Sequence, residues 1–387
     1  MLSLNVKACR NFTFNINRLE NIQFLKPIPM KTIFPLRTKR STVFPFLTIA
    51  VLFIYNFTAA QINVRTNQSA LPTLPNSSLP IDPTKGYLVS EIKDKVYYVT
   101  DGIYQMMFIV TSEGVVAVDA PPSIGANILR AIKEVTDLPV KYVLYSHSHP
   151  DHIGAASLYP ADAQYISSVE SANELKKHNE AKNQLPFGVF VGGKPVPAPT
   201  KTFKESLTLT VGKRIIKILH TGQTAHSADD LIVFLPKEKI VMAVDIVFPG
   251  WVPFEQVAYA QNIDGYLDLH NYLLQLDFDT LVAGHWSKLG NRQDVMDNKN
   301  YISDIISGLQ EAFAKVDFGS TVAKTDHGNI NLLMETYFDA VAKFTSEKVE
   351  LKWKDKLSGT DVWTYSHARK LLSFVRESGV AMPIANK

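Results

Sequence analysis

The segment YSHSHPDHIGAA, residues 145–156, is the feature that most constrains how this chain can fold. Within six positions it carries four groups able to bind a metal ion: His147, His149, Asp151 and His152. In an extended chain the side chains of residues i and i+2 point the same way, so the first two histidines can reach one ion. If a helix begins after Pro150, the other two groups face a neighbouring point. The segment therefore predicts two adjacent but incomplete sites, because zinc takes about four ligands.

Three later positions can supply the missing ligands. His226 follows a strand in TGQTAHSADD, Asp245 ends a strand in VMAVDIVFPG, and His285 follows the apolar run of LVAGHW. Each lies where a predicted strand ends, and strand ends meet along one rim of a sheet. A single histidine is as easily a hydrogen-bonded structural residue as a ligand. The ordered set, in contrast, predicts a metal site.

The remaining pattern predicts sheets covered by helices. Runs rich in β-branched and aromatic residues between Tyr87 and Asp119, separated by turn residues, predict strands joined by hairpins. LTLTV with RIIKILH, and DDLIVFLP with KIVMAVDIVF, predict two more hairpins. Apolar residues at helical spacing predict a helix at 124–135 and further helices after residue 300. Strands that alternate with helices are typical of α/β layers.

Composition limits the ligands and the partners. Lys and Arg number 40 against 37 acidic residues, and a net charge of +3 gives no reason to expect a nucleic acid partner. The one cysteine, Cys9, lies in a segment that we predict to be absent from the mature protein. Any metal ligands are therefore nitrogen and oxygen atoms. The expected partner is a small-molecule substrate, and nothing in the sequence indicates the oligomeric state.

Residues 1–60 are predicted to form an N-terminal extension that contains a signal peptide. Basic residues precede the uncharged run STVFPFLTIAVLFIYNFTAA, and small residues suit cleavage after Ala60. The apolar stretch 43–57 is shorter than the ~20 residues that a spanning helix needs. We therefore expect export to the periplasm or the extracellular space, with an uncleaved membrane anchor as the alternative. Met30 is an alternative start.

The rest of the chain divides into three predicted parts. Residues 61–85, rich in Pro, Asn and Ser, predict a flexible lead. Residues 86–290 carry all the candidate ligands and form the predicted catalytic domain. Residues 291–387 predict a helical extension, which could cap the pocket, form a dimer face or cover the sheet.

The ligand pattern resembles that of the metallo-β-lactamase fold superfamily. There a His-x-His-x-Asp-His segment is followed by a His, by an acidic residue or Cys, and by a final His. The resemblance covers roughly residues 86–290, and all five motif positions match in order. It implies a four-layer αββα sandwich of the metallo-β-lactamase type, here with a helical C-terminal extension. It also implies a first metal ion bound by His147, His149 and His226, a second bound by Asp151, His152 and His285, and Asp245 bridging the two.

Such a pair of ions predicts hydrolysis. Two ions about 3.5 to 4 Å apart can hold a bridging hydroxide and polarise a carbonyl or phosphoryl oxygen. Similar enzymes give the position of Asp151 a role in orienting the nucleophile or carrying its proton. Asp119, which ends the strand VVAVD, is expected to fix the orientation of a ligand. The ligand set suits two zinc ions, with iron or manganese as alternatives.

The substrate pocket is predicted from residues close to the ligands in sequence. Trp251 and Trp286 could form an apolar wall, although aromatic core packing is an equal alternative. His220 could line the same pocket or serve a structural role. The loop HSADD resembles the His-Thr-x-Asp-Asn loop of true β-lactamases. However, Phe248 stands where a lysine of many of those enzymes anchors the carboxylate of the drug.

The sequence therefore predicts an exported zinc hydrolase. Its predicted reaction is attack by a metal-bridging hydroxide on an ester, lactone, amide or phosphoester bond. One alternative is a true metallo-β-lactamase that hydrolyses β-lactam antibiotics. Another, from a different class, is a catalytically silent metal-containing binding protein.

Overall fold

The computed structural model describes residues 71–180, 195–220, 222 and 224–377. Within these ranges the strands form two sheets, one with seven strands and one with five. The first sheet contains, in spatial order, β1 (Leu88–Lys93), β2 (Val96–Thr100), β3 (Gln105–Thr111), β4 (Gly114–Val118), β5 (Val140–Leu144), β6 (Gln164–Ser168) and β7 (Lys201–Phe203). The second contains β8 (Ser206–Val211), β9 (Arg214–His220), β10 (Leu231–Leu235), β11 (Ile240–Ala243) and β12 (Thr280–Val282).

The pairing of the strands follows the connections between them. Strands β1 to β4 are antiparallel, and Asp94 and Lys95 make the first turn with positive φ angles of 48° and 61°. Strands β4 to β7 are parallel, as are β11 and β12, because longer connections separate them. Strands β8 to β11 are antiparallel. The predicted hairpins are thus confirmed.

The helices of the described residues lie on the outer faces of the sheets. They are α1 (Asn127–Val135), α2 (Pro150–Ile153), α3 (Val169–Glu180), the short turn α4 (Glu255–Ala258), α5 (Ile263–Leu273), α6 (Arg292–Lys315), α7 (Phe318–Val322), α8 (Ile330–Trp353) and α9 (Thr360–Glu377). The start of α6 shows how sequence sets a boundary. The side chains of Asn291 and Asp294 each accept a hydrogen bond from the other's backbone N–H, which satisfies donors that the first turn leaves free.

Single strands of the first sheet contribute side chains to two hydrophobic cores, one on each face of the sheet. In β4, Val116 and Val118 pack against the second sheet, whereas Val115 and Ala117 pack with Ile128 of α1. Successive side chains of a strand point to opposite faces, so one strand serves two cores. Helices therefore cover one face of the first sheet, and the second sheet covers the other. The predicted four-layer αββα sandwich is confirmed.

The C-terminal helices form the fourth layer. Val241 and Ala243 of β11 share one hydrophobic core with Ile302 of α6, Val341 of α8 and Leu371 of α9. All five side chains are fully or almost fully buried. Of the roles open to this region at the sequence level, covering the sheet is the one that the structure shows. The boundary proposed at residue 291 stays a prediction.

The described part of the lead, residues 71–85, contains no helix or strand but is hydrogen-bonded to the sandwich. The backbone N–H of Leu74 donates to Ser358 Oγ at 2.8 Å, and Trp251 Nε1 donates to the carbonyl of Ser77 at 2.8 Å. The predicted signal peptide lies outside the described residues. Among the residues that are described, no helix is both long and apolar enough to cross a bilayer.

Candidate metal centre

The structure brings all seven predicted ligands together at the ends of strands. They form two groups, and within each group one ligand atom per residue lies within 4.8 Å of the others. The first group is His147, His149, His226 and Asp245, and the second is Asp151, His152 and His285. The histidines and Asp151 divide as the resemblance implied, and Asp245 is grouped with the first three histidines.

The local conformation of residues 147–152 explains how one segment serves both groups. His147 follows β5, and His149 is extended, with φ −67° and ψ 130°. Pro150 then begins α2, which is favourable because its fixed φ suits the first position of a helix. Asp151 and His152 are therefore turned toward the second group. The chain thus changes from extended to helical between the two pairs of ligands, as predicted.

Asp245 faces both groups with its two carboxylate oxygens. Its Oδ2 lies 3.2 Å from His226 Nε2 and 3.1 Å from His152 Nε2. Its Oδ1 lies 2.9 Å from His285 Nε2. Asp245 has a positive φ of 61°, so the backbone is held in a region that residues other than glycine rarely adopt. The Asp245 carboxylate thus lies close to histidines of both groups, and its bridging role stays a prediction.

Backbone carbonyls fix the tautomers of two histidines. His226 Nδ1 donates to the carbonyl of Ala258 at 2.7 Å, and His285 Nδ1 donates to the carbonyl of Ile103 at 3.2 Å. Since a carbonyl can only accept, the proton must lie on Nδ1 in both rings. In the neutral rings that metal ligands require, the Nε2 atoms therefore carry lone pairs directed at the centre. His149 instead directs Nδ1 inward, 3.0 Å from His226 Nε2.

This arrangement fits a pair of cations. Lone pairs on His226 and His285 would otherwise face the Asp245 carboxylate at 3.2 and 2.9 Å, which is repulsive. Among the described residues, His147 Nε2, His152 Nε2 and Asp245 Oδ1 are buried without a hydrogen bond. Buried polar atoms normally have partners, and metal ions would supply them here. The cluster of histidine and aspartate side chains thus fits a dinuclear metal site.

The pKa values of Asp245 and His152 also show that positive charge is stabilised beside the Asp245 carboxylate. Burial opposes the ionisation of Asp245, but the neighbouring His152 and His285 hold its pKa well below the ordinary value. Burial also opposes charge on His152, yet the carboxylates of Asp245 and Asp151 raise its pKa to about 9. Burial and the neighbouring His147 lower the pKa of His149 to about 3, so this ring stays neutral as a ligand must.

Asp119 lies beneath the ligand segment, at the end of β4. It is fully buried, and its Oδ1 accepts a hydrogen bond at 2.7 Å from the backbone N–H of Ser146, the residue before His147. Burial raises its pKa, and the nearby His152 opposes that rise. The carboxylate therefore holds the strand end from which the ligands project. Its predicted role in orienting a ligand stays a prediction.

Tyr104 is a site residue that the sequence did not reveal. Its hydroxyl donates to Asp151 Oδ2 at 3.3 Å, and its ring packs on His285 with 4.6 Å between centroids. Burial and the charge of Asp151 hold the pKa of Tyr104 above its usual value, so it remains a hydroxyl donor. It lies in a hairpin loop some 40 residues before the first ligand, and no spacing connects the two.

Residues 256–259 form a second feature that was not predicted. All four have φ between 51° and 59°, so they make a left-handed turn without glycine. Such a conformation costs roughly 1–2 kcal/mol per residue. Strain of this kind concentrates around the cluster, where seven of the eleven non-glycine residues with positive φ in the described chain are found. The carbonyl of Ala258 that orients His226 belongs to this turn.

Gly284, which precedes the last candidate ligand His285, occupies a position where a side chain would not fit. Its φ is +88°, and an added Cβ would lie 2.6 Å from Val244 Cγ1 and 3.3 Å from His152 Cε1. A side chain would therefore collide with a core residue and press on a ligand. The sequence LVAGHW contained this signal next to His285.

The candidate pocket residues lie in two places. Trp251 and Trp286 are stacked, with ring centroids 4.5 Å apart, beside the ligand His285. His220 instead contacts the carbonyls of Lys204 and Ala228 at 3.0 and 3.3 Å. It lines a cavity of about 620 Å³ together with residues of β8 and α5. The pocket assignment of all three stays a prediction.

Comparison with known proteins shows what this chain is similar to. Residues 99–285 match the family model described as "Metallo-beta-lactamase superfamily". The chain is 24% identical over 263 residues to the 2,4-dinitroanisole O-demethylase subunit alpha of Nocardioides sp. (strain JS1661). This alignment covers 67% of this chain and 70% of that protein. It is 23% identical over 168 residues to the linear primary-alkylsulfatase of Pseudomonas sp. (strain ATCC 19151), covering 35% of this chain but only 31% of that protein.

A solved structure of a metallo-beta-lactamase from Pontibacter korlensis is also similar. It matches 55% of this chain and 97% of its own length, with 19% sequence identity and a TM-score of 0.45.

Proposed function

We propose that this chain, a member of the metallo-beta-lactamase superfamily through residues 99–285, is an exported hydrolase that depends on two zinc ions. The observation that carries the proposal is the pair of adjacent ligand groups that face one carboxylate, Asp245. When bound there, two ions would polarise a scissile ester, lactone, amide or phosphoester bond and lower the pKa of a water. Zinc suits a set of imidazole nitrogens and carboxylate oxygens.

Asp151 is placed to move a proton. Its side chain is 31% exposed, in contrast to the fully buried His152 beside it, so a substrate can reach it. Although burial opposes its charge, His152 keeps the pKa of Asp151 below the ordinary value. It is therefore a carboxylate that can accept a proton from water and deliver it to a leaving group. Tyr104 holds one of its oxygens, which leaves the other free for this task.

Exposed apolar side chains suggest the kind of substrate. Ile103, whose carbonyl holds His285, is 54% exposed. Phe254, which precedes the turn that holds His226, is 39% exposed, and Tyr259, the last residue of that turn, is 50% exposed. Apolar surface around a polar centre is typical of a pocket that binds an apolar group. We therefore propose a substrate with an aliphatic or aromatic substituent next to the bond that is cleaved.

Hydrolysis of β-lactams is the second candidate function, favoured by the loop HSADD after the third ligand motif. Phe248 weighs against it. Its ring packs on His285 with 5.7 Å between centroids and is 1% exposed, so this position offers no cation for a drug's carboxylate. We accordingly rank an uncharged ester or lactone above a β-lactam.

Metal content and turnover test the proposal together. The protein is purified without added metal and analysed for bound elements, and it is then assayed on six substrates. These are a p-nitrophenyl alkanoate, a homoserine lactone, a cephalosporin, bis-p-nitrophenyl phosphate, an alkyl sulfate and 2,4-dinitroanisole. We expect about two zinc ions per chain and preference for the alkanoate ester or the lactone over the other four substrates. His226→Ala should lose metal and turnover, whereas His327→Ala, at an exposed histidine, should lose neither.

Two results would contradict the proposal. A protein without metal and without rescue by added zinc would mean that the cluster is not a metal centre. Two bound ions without turnover of any of the six substrates would instead support the metal-containing binding protein.

A further inference from the structure

The left-handed turn at residues 256–259 is tied directly to one candidate ligand. Besides the bond from His226 Nδ1 to the Ala258 carbonyl at 2.7 Å, the backbone N–H of Gln261 donates to the carbonyl of Ala225 at 2.9 Å. The turn therefore holds the ring of His226, and the segment just after the turn holds the backbone of the ligand loop. If the turn relaxed to an ordinary conformation, the Ala258 carbonyl would move and the ring would lose its orientation.

The turn does not hold itself in this conformation. A left-handed backbone is unfavourable for Gln256 and Ala258, and more so for the β-branched Val257. Such strain persists only where the surroundings impose it. The contacts that impose it therefore determine where His226 points.

Helix α9 supplies these contacts. His367 Nε2 donates to the carbonyl of Phe254 at 2.8 Å, just before the turn. Within the turn, the backbone N–H of Gln256 donates to Ser366 Oγ at 3.2 Å. His367 is fully buried, and its Nδ1 accepts a hydrogen bond at 2.8 Å from the hydroxyl of Tyr301 on α6. Because the Phe254 carbonyl can only accept, Nε2 carries the proton, and Nδ1 of the neutral ring is left to accept from Tyr301.

We propose that His367, assisted by Ser366, is a positioning residue for the metal centre. Through it the C-terminal helical layer imposes the left-handed turn, and the turn aims His226 at the first ion. The C-terminal helices are then part of the site's support as well as a cover for the sheet. This inference rests on the proposed function, because it requires that His226 binds metal.

The test compares His367→Phe with two other variants of the full chain. His367→Phe keeps a ring in the core but loses both hydrogen bonds, whereas His367→Gln can still donate to Phe254. Val341→Ala opens a cavity in the same helical layer and controls for a loss of stability alone. The measurements are the zinc affinity by competition with a chelator, the absorption spectrum of the Co²⁺-substituted protein, and the thermal unfolding temperature.

We expect His367→Phe to weaken the tighter zinc site by about 10–100-fold, as loss of the group that orients a ligand typically does. Its Co²⁺ spectrum should change as well. His367→Gln should recover part of the affinity. Val341→Ala should lower the unfolding temperature while leaving affinity and spectrum as in the wild type. Ser366→Ala removes only the exposed hydrogen bond from the Gln256 N–H, so this variant should fold and its zinc affinity should fall by a few-fold.

The outcomes separate this inference from the proposed function. If the wild type binds two zinc ions and His367→Phe and Ser366→Ala bind them equally tightly, the positioning role is overturned and the hydrolase proposal stands. If Val341→Ala weakens zinc as much as His367→Phe, the effect is one of stability and the inference is again overturned. If the wild type binds no metal, both proposals fall.

Discussion

The two halves of the candidate centre are supported by different parts of the chain. The first-ion side comprises His147, His149 and His226, and the second-ion side comprises Asp151, His152 and His285. The C-terminal helical layer supports the first through the turn at 256–259, and the hairpin loop at 101–104 supports the second.

The two sides also differ in exposure. The side chains of His147 and His226 are 1% and 5% exposed, whereas those of Asp151 and His285 are 31% and 16% exposed. Each side also has one ligand that departs from this trend, since His149 is partly exposed and His152 is fully buried. On balance a metal on the first-ion side would be the more enclosed of the two. We therefore expect the first-ion side to bind its ion more tightly and the substrate to approach over the second.

Removing the shared carboxylate should have the largest effect. Asp245→Asn keeps the shape but loses the charge that both sides share, and we expect kcat/KM to fall by at least about 100-fold. The second ion should be lost before the first, because only the first retains three histidine ligands. Elemental analysis after dialysis measures this order. Two full equivalents of tightly held zinc in the variant would refute the bridging role of Asp245.

Gly284→Ala should damage the second-ion side selectively. The new Cβ would meet Val244 at 2.6 Å and His152 at 3.3 Å, and alanine at φ +88° is strained. We expect kcat/KM to fall by roughly 10–100-fold as the second ion is weakened. Gly319→Ala is the control, because Gly319 lies in helix α7 with only Asp317 Oδ1 near its Cβ position, at 3.7 Å. Equal zinc stoichiometry in both variants would argue against a separate second-ion side.

Acid should weaken the support of the first-ion side through His367. Burial lowers the pKa of this histidine to about 4 in the folded protein, below the ~6.5 of the unfolded chain. Between these values the unfolded state binds more protons, so stability is complete above pH ~6.5 and falls as the pH falls toward 4. At pH 5 the loss is about 2 kcal/mol from this group.

Urea unfolding of the wild type and His367→Gln at pH 7 and pH 5 measures this contribution. The variant should show a smaller loss of unfolding free energy between the two pH values. Identical losses in both proteins would mean that His367 does not stay neutral in the folded state.

The smallest effect is expected at the hydrogen bond from Tyr104 to Asp151. Tyr104→Phe keeps the ring on His285 but removes the hydroxyl, and we expect kcat/KM to fall about tenfold with metal content unchanged. Tyr97→Phe is the matched control, since that hydroxyl donates to Glu91 on the exposed surface. Unchanged activity in the Tyr104 variant would remove this residue from the chemistry of the second-ion side.

The fold was largely predictable because its signals are local. Hairpins and helices follow from periodicity within a few residues. A sheet that packs on both faces follows from apolar strands such as β4, whose successive side chains point to opposite faces. The packing of the C-terminal helices was not predictable, because amphipathic helices of the same pattern could cover a sheet, cap a pocket or form a dimer.

The sequence by itself determined the candidate ligands. A metal ion accepts only a few side-chain types, and His147, His149, Asp151 and His152 stand within one short segment with His226, Asp245 and His285 following at strand ends. Only the tertiary structure decided what aims them. The carbonyls that orient His226 and His285 come from positions 32 and 182 residues away, and every residue type has a carbonyl. A backbone group carries no residue-type signal, so its role becomes visible only when the chain has folded around the centre.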